Sequence, residues 1–320
     1  MIPWHDIIPG TYFKEYIKKT LAQLWLLIDR ESDSYYMKDL ISHRGFLLGL
    51  QKSNINRADL DRNLDHAKTE LDKNHILSFS PDQDGLCKKT IYSQTSSSTG
   101  RLVVKSGPRI LTIKKKYREM IKTSFKDGVI CQVDLVSLEP RIALRLANKH
   151  DERDIYTQVS TQIFKHTGDR EKAKIATISC LYGMSARSLR DQLPGEDATR
   201  VLSEIKDFFG IQQLKNRLNK QVEKDGFITN LCGRRIKPSS AIVNNYIQST
   251  GVDVSLNCFK NLCTSLSEVN IEFKALFVVH DALIIDIKKS DLDRVKYIVD
   301  EGLKALQFTD TFPAKIEEEF

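Results

Sequence analysis

Residues 273–288 read Phe-Lys-Ala-Leu-Phe-Val-Val-His-Asp-Ala-Leu-Ile-Ile-Asp-Ile-Lys. Two apolar, β-leaning runs, 273–279 and 282–288, meet at His280-Asp281, which predicts a strand–turn–strand unit with a carboxylate at its tip. A second carboxylate is placed in a similar way. Val129 to Asp134 reads as a buried strand ending in an acid, and 137–148 as the helix that follows, with Ser137 as its N-cap and Pro140 in its first turn. An ionised Asp beside so much apolar sequence is costly unless it is paired or bound to a metal. Two of them brought together repel, and a hard divalent cation resolves the repulsion. Mg²⁺ favours one or two carboxylates plus substrate phosphates over a full protein cage. The expectation is two Mg²⁺ ions at Asp134 and Asp281, with Mn²⁺ as the alternative.

Between these acids, Arg170 to Gly183 reads as a helix, with Asp169 as a candidate N-cap and Gly183 near its C-terminal end. Arg170, Lys174, Ile178 and Tyr182 are each four apart, so they share one face. That face offers two cations, then an apolar surface, then a ring. A nucleoside triphosphate fits this order, with Arg170 and Lys174 on phosphates and Lys174 also placed to protonate the leaving group. Taken singly, these features also fit an ordinary cap, a turn or a solvated helix edge. Together they are equipment for joining a nucleoside triphosphate to a nucleic-acid 3′ end.

Outward from this centre the chain is organised simply. Residues 11 to about 75 look helical, with Leu21, Leu24, Leu27 and Ile28 spaced as a core-facing stripe and Asp59 to Asp72 as a charged, solvated stretch. Residues 79–100 turn to Pro, Gly, Asp and Ser chemistry. Residues 197–224 look like one long amphipathic helix, and Asn244 to about Leu266 like another. The 320 residues are 41% hydrophobic, enough for a sizeable core. The net charge of +7 favours an anionic partner, and Lys88-Lys89, Lys114-Lys115-Lys116, Arg118 and Lys122 would make its binding fall with salt. The six cysteines form no C-x-x-C pair, which fits reduced thiols in an intracellular protein. The first residues lack the pattern of a secretory signal, and no apolar run is long enough to span a bilayer, so a cytoplasmic protein with no membrane partner is expected.

Several segments, in order, resemble family A DNA polymerases, the bacterial DNA polymerase I group. Asp134 through Arg141 resembles the family's motif A, Arg170-x3-Lys174-x7-Tyr182-Gly183 its motif B, and Val279-His280-Asp281-Ala282 its motif C. Thr99-Gly100-Arg101-Leu102 is similar to its T-G-R-L stretch, and Asn244 through Asp253 to its N-x-x-x-Q-G-T-x-x-D helix. The resemblance covers roughly residues 90–320. It implies an α+β, right-hand polymerase fold: a helical thumb at 1–90, an antiparallel-sheet palm at 91–154 and 241–320, and helical fingers at 155–240. It also implies a template-directed DNA polymerase that adds dNTPs to a primer on a DNA template. Asp134 and Asp281 would hold the metals. Glu139 would be the steric gate against a ribose 2′-hydroxyl, with Ser137, Ile178 and Tyr182 completing the nucleotide pocket. His280 would touch the primer end, and Arg101, Asn244, Gln248 and Arg141 the template–primer.

This chain departs from the family pattern at several places, among them a short stretch from Gly233 to Asn244 that lacks an expected basic residue. Ile178 stands where the family usually has Phe or Tyr, Ser179 where it has Gly, and Ala282 where a Glu follows the motif C Asp. These changes point to a divergent enzyme. About 90 residues precede the T-G-R-L stretch, room for a small thumb but not for a proofreading exonuclease in this chain. Low processivity without a clamp or similar factor is therefore expected. The competing readings are a single-subunit RNA polymerase or primase of the same superfamily, and a catalytically silent nucleic-acid-binding protein.

Overall fold

The structure, a computed structural model, describes residues 7–32, 34–151, 154–164 and 169–318, with the side chains of 28–32 outside the description. The chain begins with α1 (Gly10–Ser32) and α2 (Tyr35–Gly49), followed by β1 (Asn54–Ile55), α3 (Arg57–Asp65) and α4 (Glu70–Leu77). β2 (Ile91–Ser93) and β3 (Val103–Ser106) pair around a serine-rich loop, and a 3-10 turn at Lys115–Met120 leads into β4 (Ile121–Lys122), which pairs with β1. Then come β5 (Gly128–Leu135), α5 (Leu138–Leu146), α6 (Ile155–Val159) with a π turn at Ser160–Phe164, and α7 (Arg170–Leu181). α8 (Ala186–Gln192), α9 (Ala198–Phe208) and α10 (Ile211–Asp225) precede a short hairpin of β6 (Ile228–Thr229) and β7 (Arg235–Ile236). The chain closes with α11 (Ile242–Glu268), β8 (Phe273–Val279), β9 (Ala282–Lys288), α12 (Leu292–Asp300) and β10 (Ala314–Glu317).

Residues up to Gly45 form one compact unit and those from Phe46 a second. This boundary falls inside the 1–90 segment that the sequence suggested as a single helical region. In the first unit, Leu21, Leu24 and Leu27 are each about half exposed, so the expected core-facing stripe is not buried; the side chain of Ile28 lies outside the described residues. Helical spacing identifies a shared face, but it does not supply something to cover it.

The second unit is built on a four-stranded antiparallel sheet in the order β10-β5-β9-β8. Side chains alternate across it, and both faces are covered. Cys131, Val133 and Leu135 of β5 with Leu283, Ile285 and Ile287 of β9 enter a large core shared with α5 and α11. Ile284 and Phe277 enter a second core with Ile55, Leu60, Ile76, Phe79 and Met120. Burial on both faces is why these strands read as almost continuous apolar runs. Polar residues on the second face need partners, and Asp286, 1% exposed, accepts from Thr123 Oγ1, Ser124 N and Ser124 Oγ. Residues drawn from 55–121, among them Leu60, Phe79, Ile110 and Met120, thus form the layer that covers this second face.

Three local expectations are revised. The 197–224 helix is two helices, because Gly210 takes φ +61° and turns the chain between Phe209, which is buried, and Ile211. Asp169 precedes α7 but makes no side-chain cap bond; it pairs with Lys172 instead, at 3.1 Å. The charged stretch from Asp59 divides into α3 and α4, each with its own N-cap: Asn56 accepts from Asp59 N, and Thr69 from Asp72 N. Among the described residues no helix is long and apolar enough to cross a membrane. None of the six cysteines is in a disulfide; five are buried and Cys263 is half-buried.

Candidate active site

The site is assembled at one end of the sheet. Asp134, next to last in β5, sits opposite Ala282 in β9, and the Leu135 N–H donates to the Asp281 carbonyl at 3.1 Å. Val279 pairs with Ala282, so His280-Asp281 is a two-residue hairpin loop. His280 holds φ +56°, a left-handed conformation that costs a non-glycine residue roughly 1 kcal/mol or more. Ser137 holds φ +54° at the start of α5. It occupies the N-cap position but makes no side-chain cap bond, which corrects the expected role. Its backbone instead turns the chain sharply out of β5, and Glu139 is carried to the cleft wall.

A cleft of about 680 Å³ opens here. Its floor is Asp134, Ser137 and Asp281, Glu139 stands in the wall, and α7 supplies the rest of that wall with Arg170, Lys174, Ile178 and Tyr182. Arg101, Gln248 and His280 face these residues from the other side, with Lys315 of β10 at the rim. Ile178 and Tyr182 are 38% and 41% exposed, a greasy edge left open to the cleft. Ser179, on the opposite side of α7, is buried and its Oγ donates to Gln192 of α8 at 3.4 Å, so the non-glycine residue at this position ties two helices together. Tyr182 Oη donates to Glu139 Oε1 at 3.4 Å across the cleft. Arg170 Nε donates to Asp154 Oδ2 at 2.7 Å, and its guanidinium lies over the Tyr156 ring, 5.4 Å from the centroid. Asp154 is held in turn by capping α6, where its Oδ1 accepts from Tyr156 N and Thr157 N.

The electrostatics of the two floor acids are unfavourable in the protein alone. Burial, then the nearby Asp281, push the Asp134 carboxyl up to about 6, against the opposing pull of Lys315. Burial raises Asp281 as well, while its own backbone N–H, His280 and Arg101 lower it. Glu139 is raised by burial and lowered by the Tyr182 hydroxyl and Arg101. His280 is lowered by burial and by Arg101, which favours its neutral form. Among the described residues no set of three or more His, Cys, Asp or Glu side chains is arranged to hold a metal ion. Two hard carboxylates beside an open cleft fit a divalent cation that takes its remaining ligands from substrate phosphates and water.

Behind the site lies a second charged cluster of opposite character. Asp253 of α11, 1% exposed, accepts from Arg234 Nη2 at 2.6 Å, Arg234 Nε at 3.1 Å, Gln94 Nε2 at 2.9 Å and Asn230 Nδ2 at 2.9 Å. Asn230 also donates to Ser249 Oγ and accepts from the Cys232 and Arg234 N–H groups. This network fastens three segments: the β2–β3 loop, the β6–β7 hairpin and α11. Gly100, at φ +79°, passes directly over Arg234, and a Cβ there would lie 2.5 Å from its Cζ. The next residue is Arg101, which the loop presents to the cleft.

Of the residues singled out from sequence, two do not line the cleft. Arg141 is 1% exposed, its Nε donates to the Val136 carbonyl and its Nη1 to Asp151 at 2.8 Å, so it braces the turn after β5 and is not free to touch nucleic acid. Asn244 is partly exposed one helical turn before Gln248 on α11. Three residues that the sequence did not reveal belong to the site: Asp154, Tyr156 and Lys315. Asp154 stands at a visible helix start, whereas nothing local marks Lys315, because its placement depends on β10 pairing with a strand far away in sequence.

A family model described as DNA polymerase family A matches residues 62–318. DNA polymerase I of Bacillus caldotenax is 23% identical over 250 residues, covering 67% of this chain and 28% of that protein. DNA polymerase I of Caldicellulosiruptor bescii is 27% identical over 249 residues, covering 66% and 29%. The chain thus spans under a third of the length of these two relatives. Among solved structures, the POL domain of Pol1 from M. smegmatis, in complex with DNA primer-template and dNTP, superposes with a TM-score of 0.62 at 19% identity, covering 84% of this chain and 57% of that one. That likeness extends to the α+β right-hand polymerase fold.

Proposed function

The chain belongs to DNA polymerase family A, and on that premise we propose that it is a DNA-directed DNA polymerase that adds dNTPs to the 3′ end of a primer on a DNA template. The observation that carries the proposal is one cleft that gathers Asp134, Asp281, Glu139, Arg170, Lys174, Tyr182, Arg101, Gln248 and His280 from five separate stretches of chain. Residues 155–240 act as fingers, the sheet-bearing segments 91–154 and 241–320 as palm, and the N-terminal helical region as thumb.

Asp134 and Asp281 would hold Mg²⁺, or Mn²⁺ in its place, and such a cation would make the primer 3′-hydroxyl a better nucleophile and offset the charge of the triphosphate. The chain's own residues do the rest. The primer 3′-hydroxyl loses its proton to water, its oxygen attacks the α-phosphorus, the bond from that phosphorus to the oxygen bridging to the β-phosphate breaks, and pyrophosphate departs. Lys174 binds the triphosphate tail, and its ammonium gives a proton to the leaving pyrophosphate. Arg170 binds the same tail once it exchanges Asp154 for phosphate oxygens, a fork well suited to such oxygens. The base rests on Ile178 and Tyr182. Glu139, held by Tyr182, fills the space that a ribose 2′-hydroxyl needs. Arg101, Gln248 and Asn244 approach the minor groove, where acceptors are alike for every base pair, so donors there test pair shape without reading sequence. Neutral His280 packs at the primer end. A clamp or similar factor supplies processivity.

The test is primer extension on primed DNA with Mg²⁺, comparing dNTPs with rNTPs beside Asp281→Ala. Template-directed dNTP addition that disappears in the variant supports the proposal. Preferential rNTP addition moves the assignment to an RNA polymerase or primase, and duplex binding with no addition makes the chain a silent member of the family.

A further inference from the structure

Across the end of the sheet, Lys315 of β10 sits directly opposite Asp134 of β5, which sits directly opposite Ala282 of β9. Residues opposite one another in neighbouring strands point to the same face with their Cβ atoms about 5 Å apart. The row beside the active-site floor therefore reads ammonium, carboxylate, methyl. Lys315 Nζ is 3.8 Å from Asp134 Oδ2 and 2.6 Å from Glu317 Oε1. Glu317 is two residues on, so it shares the face of β10 with Lys315. The Lys315 side chain is 53% exposed and reaches the cleft from its rim. On the other flank of Asp134, Ala282 adds no charge at the position where the family resemblance leads one to expect a Glu. The fixed negative charge around Asp134 is thus reduced twice, by a carboxylate absent on one side and a cation present on the other.

We infer that Lys315 is a positioning residue that competes with divalent metal for Asp134, so that the nucleotide-free protein binds the cation weakly and the cation enters together with a triphosphate. This rests on the assignment of Asp134 as a metal ligand under the proposed function. The ammonium neutralises Asp134 while the cleft is empty of nucleotide. When a cation takes the carboxylate, Lys315 keeps Glu317 as its partner, so no charge is stranded. A triphosphate brings enough negative charge to complete the cation's coordination, which the protein's two carboxylates do not do by themselves.

The experiment titrates nucleotide-free protein with Mn²⁺ and follows free Mn²⁺ by electron paramagnetic resonance, with the melting temperature of each variant as the check of folding. Lys315 is well exposed, so Lys315→Ala and Lys315→Gln are expected to fold. Each should bind Mn²⁺ about fivefold more tightly than the wild type, the upper end for an exposed ion pair. Lys315→Arg keeps a cation and should stay near wild type, while Glu317→Gln removes the resting partner and should weaken binding. Adding Asp134→Ala to Lys315→Ala should abolish the gain. Equal Mn²⁺ affinity in Lys315→Ala, Lys315→Gln and wild type, with binding still lost in Asp134→Ala, overturns the inference alone. So does a rise in the KM for dNTP in Lys315→Ala without any change in Mn²⁺ affinity, which would make Lys315 a phosphate ligand. Mn²⁺ binding unaffected by Asp134→Ala would instead overturn the metal assignment on which the inference rests.

Discussion

Asp253 and Asp134 are both withdrawn from water in the same unit, and their surroundings are opposites. Asp253 accepts from Arg234, Gln94 and Asn230, with its charge matched by a guanidinium. Asp134 has a second acid beside it and one ammonium at 3.8 Å. The first arrangement holds the fold together. Under the proposed function the second awaits a cation, and such unresolved charge, placed in a cleft, is a physical pointer to function. The contrast also separates two kinds of charged motif residue that look alike in the sequence: under the proposed function Asp134 and Asp281 serve the chemistry, whereas Asp253 and Arg141 are tied into the architecture.

This comparison breaks most visibly if the roles are exchanged by mutation. Asp281→Ala should reduce primer extension to background while leaving duplex binding intact, as measured by a filter or fluorescence binding assay; retained extension would mean that the acid is not needed. Asp253→Ala should do something different. It leaves Arg234 buried with its main partner gone, which typically costs about 3–5 kcal/mol, and the loss should appear as a lower urea midpoint. If Asp253→Ala unfolds at the wild-type midpoint, the network is not structural. Asp134→Asn should have the opposite sign, raising the stability of the metal-free protein by about 1–2 kcal/mol at neutral pH, because it removes a charge whose burial is opposed.

Titration sharpens the same contrast. Asp134 is raised to about 6 in the folded protein, above its ordinary 3.8, so folding binds its proton more tightly. Metal-free stability should therefore fall as pH rises from about 4 to 6 at this position, and Asp134→Asn should flatten that part of the profile. Metal binding runs the other way: below about pH 6 a cation must displace a proton, and affinity should decline up to tenfold per pH unit. A smaller effect is expected at the cleft wall. Glu139→Ala removes the partner of Tyr182 and opens space near the sugar, so rNTP use should rise relative to dNTP; an unchanged ratio would place sugar selection elsewhere.

Much of this was legible in the sequence where the governing forces are local or periodic. β8 and β9 have the bounds that the apolar runs of 273–279 and 282–288 suggested, because burial on both faces leaves a dense apolar signature. The α7 face was legible because residues four apart must align. What escaped was set by distant partners. Arg141 belongs to a recognisable motif, yet its orientation is decided by Asp151 and the Val136 carbonyl. Lys315 lies in a four-residue strand with no pattern of its own, and only its pairing with β5 brings it to the site. Gly210 inside a helical pattern gave no sign that it would break the 197–224 stretch, since a lone glycine is often tolerated there.

The buried thiols have a practical consequence. Cys131, Cys258 and Cys263 are pushed up to about 12 and Cys180 to about 11, all by burial first, which leaves little thiolate at neutral pH. An alkylating dye would therefore pass over these four side chains. A cysteine introduced at an exposed position of α7, such as Glu171→Cys, would react with the dye faster than these four. A second label on the primer would then turn the distance between that helix and the DNA into a fluorescence signal, readable nucleotide by nucleotide on single molecules.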